Sequence, residues 1–457
     1  MINKLIFISA VTLPLVAMGG VQEDLASKVE ASISHGIEAT GEIVEFELEA
    51  SPHAIRLHPE LELELWTFNK SIPGPQIRIK KGQTLRVIFK NNLPQPTTIH
   101  WHGVRVPNAM DGVPGVNQDP IAPGASFTYE FTPKDAGTYW YHPHVRGAEQ
   151  VERGLSGSLI VEDETTQPYS QDILLHVDDW LIDQEGKLDE DFVSPMDLMH
   201  DGRWGNLITV NGSFQPTYNV RPGERIRLRL VNASNGRIYR PIFKESIEGK
   251  IIAYDGLYVG KPMDIGALEL SPGNRIEMDI AIPKSGLKAV ELVDDITGEV
   301  IPLVTFNVTG EAVETTSFPM PVDKNFPDTS IAKELSVSQE LKLQAYEGGP
   351  YGIQWTIGGK AWGDHDTLFL DHKKYQVISF NNESYRLHPM HLHGQFFQVL
   401  SRNGEFNPEP FWRDTVLVWP EEVVTIGVYP QDRGTWAQHC HILEHAESGM
   451  MNVIQVQ

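Results

Sequence analysis

Apolar and polar residues alternate along most of the chain, in short runs that Gly, Pro and Asn separate. The segment QIRIKKGQTLRVIFKNN, residues 76–92, alternates on both sides of a Lys-Gly turn. Alternation with a period of two predicts half-buried β-strands, and closely spaced turn residues predict that these strands are short. Few stretches have the longer period of a helix. The pattern therefore predicts an all-β protein.

The same segment recurs at intervals of about one domain. Residues 218–234, YNVRPGERIRLRLVNAS, form one copy and residues 368–384, LFLDHKKYQVISFNNES, form a looser one. Each copy ends in an Asn-containing turn, and the segments that follow are IHWHG, RIYRP and LHPMHLHG. Three consecutive antiparallel β-sandwiches of ordinary size account for this repeat.

Polar and proline-rich stretches mark the boundaries between these units. We place a signal peptide at 1–20 and the three domains at 36–165, 166–312 and 330–457. The middle copy has no histidines where the first copy has His100 and His102. We therefore expect the second domain to be a scaffold without metal ligands.

The first twenty residues, MINKLIFISAVTLPLVAMGG, contain Lys4, then an apolar run, then small residues around Ala17 and Gly19. This order is typical of a secretory signal, and an uncleaved membrane anchor is the alternative. We expect an exported protein, periplasmic or secreted, that has no membrane contact beyond this signal.

The net charge is −24, from 37 basic and 61 acidic residues. Such a charge disfavours nucleic acid and anionic membranes as partners, although it also simply keeps an exported protein soluble. We expect a monomer that acts on a small cationic or neutral molecule.

Cys440 is the only cysteine, and it lies in the segment HCHILEHAESGMM. An exported chain with one cysteine has no internal disulfide, and an unprotected thiol is a liability in an oxidising compartment. Metal binding would explain its presence.

The chain contains four His-x-His triplets, whereas random placement of its 17 histidines would give about 0.6. Residues i and i+2 of a strand point to the same face, so each triplet presents two imidazoles together. The four triplets supply eight nitrogens for a small cluster of metal ions: His100, His102, His142, His144, His391, His393, His439 and His441.

The same geometry turns Cys440 away from His439 and His441, toward a second site. His445 and Met450 follow at intervals of five residues, and His388 is the remaining histidine nearby. Two imidazoles, a thiolate and a weak thioether are the ligands of a blue-copper centre, whereas zinc and iron–sulfur sites need other sets.

These motifs, together with SIPGPQIRI, resemble those of three-domain multicopper oxidases of the bacterial laccase-like type. The resemblance implies three cupredoxin-like Greek-key β-sandwich domains and four copper ions. It implies a type 1 copper on His388, Cys440, His445 and Met450. It also implies a type 2 copper on His100 and His391, and two type 3 coppers, one on His102, His142 and His441 and the other on His144, His393 and His439.

The resemblance further implies one-electron oxidation of a donor near the exposed edge of His445, coupled to four-electron reduction of O₂ to water. The sequence leaves open whether the donor is a phenol, Cu(I), Fe(II) or Mn(II). A periplasmic protein that binds or sequesters copper without catalysis is the alternative from another class.

Three acids are candidates for catalytic roles. Asp111 lies where the family keeps an acid near the trinuclear centre, and a turn-forming Asp in an Asp-Gly pair is the lesser alternative. Many bacterial members have a glutamate directly after the second type 1 histidine, but here that residue is Ala446 and Glu447 follows it. Adjacent residues point in different directions, which argues against Glu447 taking over this role. Asp414 matches an acid that metal-oxidising relatives carry close to the type 1 copper, unless it pairs with Arg413.

The segment MDLMH carries Met196, Met199 and His200 at helical spacing. We interpret the two methionines as part of a hydrophobic core, in preference to a site for a cuprous ion.

Overall fold

The computed structural model describes residues 15–32, 39–163 and 168–457. It contains three consecutive sandwiches, each made of two β-sheets, which confirms the predicted all-β class. The apolar residues of facing strands pack between the two sheets of each sandwich. Burial of these inward-facing side chains stabilises each sandwich, and it requires apolar residues at alternate positions along the strands.

The first sandwich has sheets in the order β2-β1-β4-β6 and β3-β8-β7-β5. Its strands are β1 Ile43–His58, β2 Leu61–Phe68, β3 Gly74–Lys80, β4 Thr84–Asn91, β5 His100–His102, β6 Ser126–Phe131, β7 Gly137–His142 and β8 Gly157–Glu162.

The second sandwich has sheets in the order β10-β9-β12-β16-β14-β15 and β11-β18-β17-β13. Its strands are β9 Gln171–Trp180, β10 Leu207–Val210, β11 Thr217–Val220, β12 Arg225–Asn232, β13 Pro241–Phe243, β14 Glu248–Tyr254, β15 Leu257–Met263, β16 Arg275–Ala281, β17 Ala289–Asp294 and β18 Ile301–Val308.

The third sandwich has sheets in the order β20-β19-β22-β27-β24-β25 and β21-β29-β28-β23-β26. Its strands are β19 Gln339–Glu347, β20 Ile353–Ile357, β21 Thr367–Leu370, β22 Gln376–Asn382, β23 His388–Leu392, β24 Phe397–Arg402, β25 Glu405–Phe406, β26 Thr415–Val418, β27 Val423–Val428, β28 Gly434–Cys440 and β29 Met451–Val456.

The repeated segment has the same structure in all three domains. Its two strands, β3 and β4 in the first domain, lie in opposite sheets of the sandwich. The second strand of each copy pairs in parallel with the first strand of its domain, as β4 does with β1. The expectation of purely antiparallel sandwiches was therefore wrong, because the chain crosses between sheets at each repeat.

A buried asparagine closes each copy of the repeat. Asn91, Asn232 and Asn382 each donate side-chain hydrogen bonds to carbonyl oxygens of the following loop and accept one from a backbone N–H two residues on. In the first and third domains, the loop fixed in this way leads into the strand that carries a His-x-His triplet. In these two domains the asparagine thus fixes the position at which the strand with the ligand histidines begins.

The helices are few and short apart from the first. They are α1 Leu15–Ser32, α2 Gly147–Glu152, α3 Pro195–Met199 and α4 Leu443–Glu447, with 3-10 turns at Asn108–Met110 and Ser330–Glu334. Among the described residues, none of the helices has the length and apolar character needed to cross a membrane.

Helix α1 was not expected from the sequence. Its Leu25 and Val29 are fully buried, the helix packs on the 3-10 turn Ser330–Glu334, and Glu30 forms an ion pair with Lys373 of the third domain at 2.8 Å. Residues 1–14, which carry most of the proposed signal peptide, lie outside the described residues.

Candidate metal centre

The four His-x-His triplets meet between the first and third domains. In the first domain, β5 pairs with β7 so that His100 lies opposite His142. In the third domain, β23 pairs with β28 so that His391 lies opposite His439. Because i and i+2 share a face of a strand, each pairing gathers imidazoles on one side of its sheet.

Donor nitrogens from both domains come close enough to share metal ions. The structure groups His102 with His142 and His441, and it groups His144 with His393 and His439, with the ligand atoms of each group within 4.8 Å of one another. His100 and His391 lie in a third such group together with His102. These groups contain all eight predicted histidines.

Hydrogen bonds hold the outward nitrogens of six of these imidazoles. Nδ1–H groups donate to backbone carbonyls, for example from His100 to Asp111 at 2.8 Å and from His142 to Pro143 at 2.9 Å. The same arrangement holds His439, whose Nδ1 lies 2.8 Å from the Cys440 carbonyl oxygen. A carbonyl only accepts, so the proton is on Nδ1 and the lone pair is on Nε2.

Several of the inward nitrogens have no protein partner, and Nε2 of His439 contacts only Nε2 of His144 and His393. The unpartnered nitrogens include Nε2 of His100, His142 and His391 and Nδ1 of His102, all buried. Burial lowers the pKa of His142 and His391 below the usual histidine value, which keeps both rings neutral. Buried, neutral, unpartnered and convergent lone pairs are what a metal ion needs, so the residues present fit copper.

A second cluster lies on the other side of β28. Cys440 Sγ is 3.7 Å from Nδ1 of both His388 and His445, and these two nitrogens are 3.2 Å apart. The outer Nε2 of His388 is 2.8 Å from Ser384 Oγ, which leaves Nδ1 facing the thiol. Burial raises the pKa of Cys440, so a bound metal ion is required to hold it as a thiolate.

Met450 is fully buried and lies in the core of the third domain together with Cys440. Its backbone N–H donates to His445 and its carbonyl accepts from Cys440, at 2.9 and 3.0 Å. The backbone therefore holds the predicted axial residue beside both other ligand residues of this loop.

His445 is fully buried, so the expectation of an exposed edge was wrong. Its Nε2–H donates to the carbonyl oxygen of His200 in the second domain, at 2.7 Å. Trp355 packs on the same ring at a centroid distance of 4.3 Å, and its indole N–H donates to Leu198 at 2.8 Å. The MDLMH segment thus covers the ring.

The core interpretation of the MDLMH methionines was also wrong. Met196 is 65 % exposed and Met199 is 53 % exposed, whereas Leu198 between them is buried. Helix α3 turns only Leu198 and Asp197 inward, toward Trp355 of the third domain and Arg203 of the second.

Asp111 contacts histidines of the eight-histidine cluster from both the first and the third domain. Its carbonyl oxygen accepts from His100, and its Oδ2 lies 3.0 Å from Nδ1 of His393. Asn117 donates to the same Oδ2 at 3.1 Å, and the carboxylate is fully buried. Asp111 is therefore more than a turn residue.

Asp414 lies at the eight-histidine cluster and not at the surface beside the Cys440 cluster, which corrects the expectation drawn from metal-oxidising relatives. Its Oδ1 is 3.1 Å from His102 Nε2 and 3.4 Å from His391 Nδ1, and only 1 % of the residue is exposed. Its charged partner is Arg275, since Arg413 pairs with Glu409. A fully enclosed carboxylate has no access to a cation arriving from solvent.

Glu447 and Ala446 line the same cavity of about 280 Å³, so the argument that adjacent residues diverge was wrong here. The cavity also reaches His142, His144 and His439 of the eight-histidine cluster. Burial raises the pKa of Glu447 above the usual glutamate value.

The second domain contributes contacts that the sequence did not reveal. Arg275 reaches Asp414, and a side chain at Gly273, where φ is +87°, would place its Cβ 2.9 Å from both His102 and His441. Neither residue belongs to a ligand motif. The second domain therefore forms part of the wall around the eight-histidine cluster and is not a remote scaffold.

Comparison with known proteins agrees with this geometry. Family models described as multicopper oxidase match residues 50–166, 171–282 and 334–457. The chain belongs to the multicopper oxidase family, and it is an oxidoreductase with three cupredoxin-like domains.

Several relatives cover nearly the whole chain. A multicopper oxidase of Staphylococcus aureus is 29% identical over 85% of this chain and 83% of its own. The crystal structure of a multicopper oxidase from Pseudomonas parafulva is 33% identical, with a TM-score of 0.81 over 90% of this chain and all of that chain (100%). A Campylobacter jejuni multicopper oxidase described as a metallo-oxidase is 25% identical, with a TM-score of 0.74 over 92% of this chain and 94% of that chain.

Proposed function

We propose that this chain holds four copper ions and couples one-electron oxidation of a phenolic or metal-ion donor to reduction of O₂ to water. The observation that carries the proposal is the sequence His439-Cys440-His441. Its thiol belongs to one cluster and its two imidazoles belong to the other. Three residues adjacent in the chain thus connect the cluster that would accept electrons from the donor to the cluster that would reduce O₂.

We assign the type 1 copper to His388, Cys440, His445 and Met450. We assign the type 2 copper to His100 and His391, and the type 3 pair to His102, His142 and His441 and to His144, His393 and His439. Copper bound there would supply the one-electron steps that link donor oxidation to oxygen reduction. The protein holds the ligands neutral and oriented and keeps them out of bulk water.

On the donor side, electrons enter through His445. The ring is covered, so a donor makes no direct contact with it and instead approaches the His200 carbonyl, which accepts the His445 N–H. A metal ion or a small phenol that binds over the MDLMH segment lies close to the hydrogen bond between the His445 N–H and the His200 carbonyl.

On the oxygen side, reduction to water consumes protons as well as electrons. Asp111 orients His100 and His393, and its buried carboxylate is placed to hold a proton beside the oxygen site. Glu447 lines the cavity that reaches His142 and His144, and so it is placed to deliver protons from solvent. Asp414, with its contact to His102, holds that ring and takes no direct part.

We further propose that the protein is exported and acts as a monomer. The proposal rests on the signal-like residues 1–20 and on the single cysteine, which a metal ion would protect. The amino-terminal sequence and native mass of protein recovered from the periplasm or medium test this. Recovery of an unprocessed chain from the cytoplasm alone would contradict it.

Oxygen consumption by the copper-loaded protein tests the proposed reaction. A phenolic donor, Cu(I), Fe(II) and Mn(II) are compared side by side, and the blue absorption of a copper thiolate is recorded on the same sample. We expect a blue protein that consumes O₂ with at least one donor. A blue protein that consumes none would contradict the proposal.

A further inference from the structure

The loop that carries three of the proposed type 1 ligands is held from outside its own domain. Helix α4, Leu443–Glu447, contains His445 and lies in this loop between Cys440 and Met450. Glu444, the residue directly before His445, is completely buried. A buried carboxylate needs hydrogen-bond donors, so the partners of Glu444 show what fixes the helix.

Asn235 of the second domain binds α4 at two points. Its Nδ2 donates to Glu444 Oε1 at 2.8 Å, and its backbone carbonyl accepts from the Leu443 N–H at 3.2 Å. The Arg203 N–H, also in the second domain, donates to Glu444 Oε2 at 3.2 Å. Both oxygens of this carboxylate are therefore bound by the domain that has no ligand histidines.

The same amide reaches the first domain. Nδ2 of Asn235 also donates to the Ala148 carbonyl oxygen at 2.8 Å, and Asn235 is only 1 % exposed. Ala148 lies in α2, four residues after His144, and it shares a small apolar cluster with Leu443. One side-chain amide, which has two protons to donate, thus ties the helix that follows a ligand of the eight-histidine cluster to the helix that carries His445.

The loops around Asn235 pack closely against each other. A Cβ at Gly202, where φ is +76°, would lie 2.8 Å from Glu444 Oε2. A Cβ at Gly236 would lie 2.8 Å from the Asp201 carbonyl oxygen, so this loop packs directly on the one that contains Gly202. Tight packing transmits small shifts, because the interior has few voids to absorb them.

Asn235 lies in the turn that ends the second copy of the repeated segment, three residues after Asn232. The matching turns of the first and third domains lead into strands that carry ligand histidines. The turn of the second domain leads to no ligand strand, and it contacts a ligand loop of the third domain instead. This turn therefore contacts a metal centre without supplying a ligand to it.

We propose that Asn235 is a positioning residue for the type 1 copper, which holds His445 in place through Glu444 and α4. This inference rests on the proposed oxidase function and deepens it. All four assigned ligands lie in the third domain, whereas the contacts that fix their loop come from the second. Because ligand orientation tunes the reduction potential of a blue-copper site, the donor side depends on how all three domains dock.

Anaerobic redox titration of the copper-loaded enzyme tests the proposal without turnover. Asn235→Ala removes both donated hydrogen bonds and leaves Glu444 less constrained. We expect the equilibrium constant for reduction of the blue copper by a one-electron dye to fall at least about fivefold, because a looser loop lets Cu(II) approach the tetragonal geometry that it prefers. The copper hyperfine splitting in the electron paramagnetic resonance spectrum of the type 1 copper should change in the same sample.

Asn211→Ala is the matched control. Asn211 also lies in the second domain, and its Nδ2 donates two hydrogen bonds, to the Leu174 carbonyl and the Tyr218 hydroxyl, at 2.7 Å each. Both partners belong to the second domain, so this variant should lose stability and keep the wild-type equilibrium constant. A wild-type equilibrium constant in Asn235→Ala would overturn the proposal.

A double-mutant cycle tests whether Asn235 acts through Glu444. Asn235→Ala combined with Glu444→Ala should shift the equilibrium constant no further than Glu444→Ala alone, and additive shifts would overturn the proposed route. If Asn235→Ala does not fold, Asn235→Ser, which keeps one short donor, should shift the constant in the same direction by less, and an unshifted constant there counts equally against the proposal. Copper-loaded wild-type protein without blue absorption would instead contradict the type 1 assignment of the proposed function.

Discussion

Arg275 of the second domain forms an ion pair with Asp414 of the third, inside the wall of the eight-histidine cluster. Its Nη1 donates to Oδ1 at 3.0 Å, its Nη2 lies 2.8 Å from Oδ2, and neither side chain is more than 1 % exposed. Although burial favours the neutral acid, the guanidinium and the His391 contact lower the pKa of Asp414. A domain without ligand histidines thus fixes the carboxylate that holds His102.

We expect Arg275→Lys to destabilise the holoenzyme by about 3–5 kcal/mol, because lysine cannot keep the two-point contact and leaves Asp414 partly uncompensated. We also expect the variant to lose copper from the eight-histidine cluster while it keeps the blue absorption of the Cys440 cluster. Metal analysis and visible spectra on the same sample measure both effects.

Arg225→Lys is the matched control, since Arg225 pairs with Asp279 in the second domain and contacts no predicted ligand. It should lose stability and keep all its copper. Full copper occupancy in Arg275→Lys would contradict the positioning role.

Glu447→Gln should lower kcat for O₂ reduction at least about tenfold, because the amide lines the cavity but has no acidic proton to give. Reduction of the blue copper by donor in the absence of O₂ should keep its wild-type rate. Stopped-flow records of the two half-reactions make this comparison.

The exposed Glu421 provides the control Glu421→Gln, which should change neither half-reaction. If Glu447→Gln reoxidised with O₂ as fast as wild type, the cavity would not be the proton route.

Glu277 links the first two domains through a fully buried carboxylate. Thr138 and Arg229 donate to its Oε1 at 2.6 and 2.8 Å, and Arg227 donates to Oε2 at 2.8 Å. Burial alone would raise the pKa of Glu277, but the two arginines lower it below the usual value. The carboxylate therefore contributes stability above the unfolded pKa of about 4.3, and this contribution is lost as pH falls through the lower folded pKa.

We accordingly expect Glu277→Gln to reduce the free energy of unfolding by about 3 kcal/mol at neutral pH. The deficit should stay constant down to about pH 5 and shrink in more acidic solution. Guanidinium titrations at several pH values measure it, with the exposed Glu347→Gln as a control that stays within about 0.5 kcal/mol of wild type. A deficit that grew on acidification would refute the assignment of a charged Glu277.

Local pattern was sufficient to predict the fold class and to group the ligand residues. Strand alternation puts His439 and His441 on one face and Cys440 on the other, and this relationship depends on nothing distant in the chain. The structure brings the predicted partners of both clusters within ligand distance of one another.

Long-range packing decided what sequence reasoning missed. The cover over His445 is a backbone carbonyl, that of His200, and a carbonyl has no signature in the sequence. The spacing of Met196 and Met199 fits a buried or an exposed helix face equally, and only the position of the third domain decides between them. Helix α1 carries only a weak signal in the sequence, the apolar pair Leu25 and Val29 at helical spacing directly after the proposed signal peptide.

The central claim is that Cys440 joins a donor site to an oxygen site. The most direct measurement is the number of electrons taken from donor per O₂ consumed, in wild type and in Cys440→Ser, with copper content determined for both. We predict four electrons per O₂ without released peroxide in wild type. We predict that Cys440→Ser keeps the copper of the eight-histidine cluster but loses the blue colour and donor-driven O₂ uptake. Wild-type rates of O₂ uptake in a Cys440→Ser protein would contradict the account.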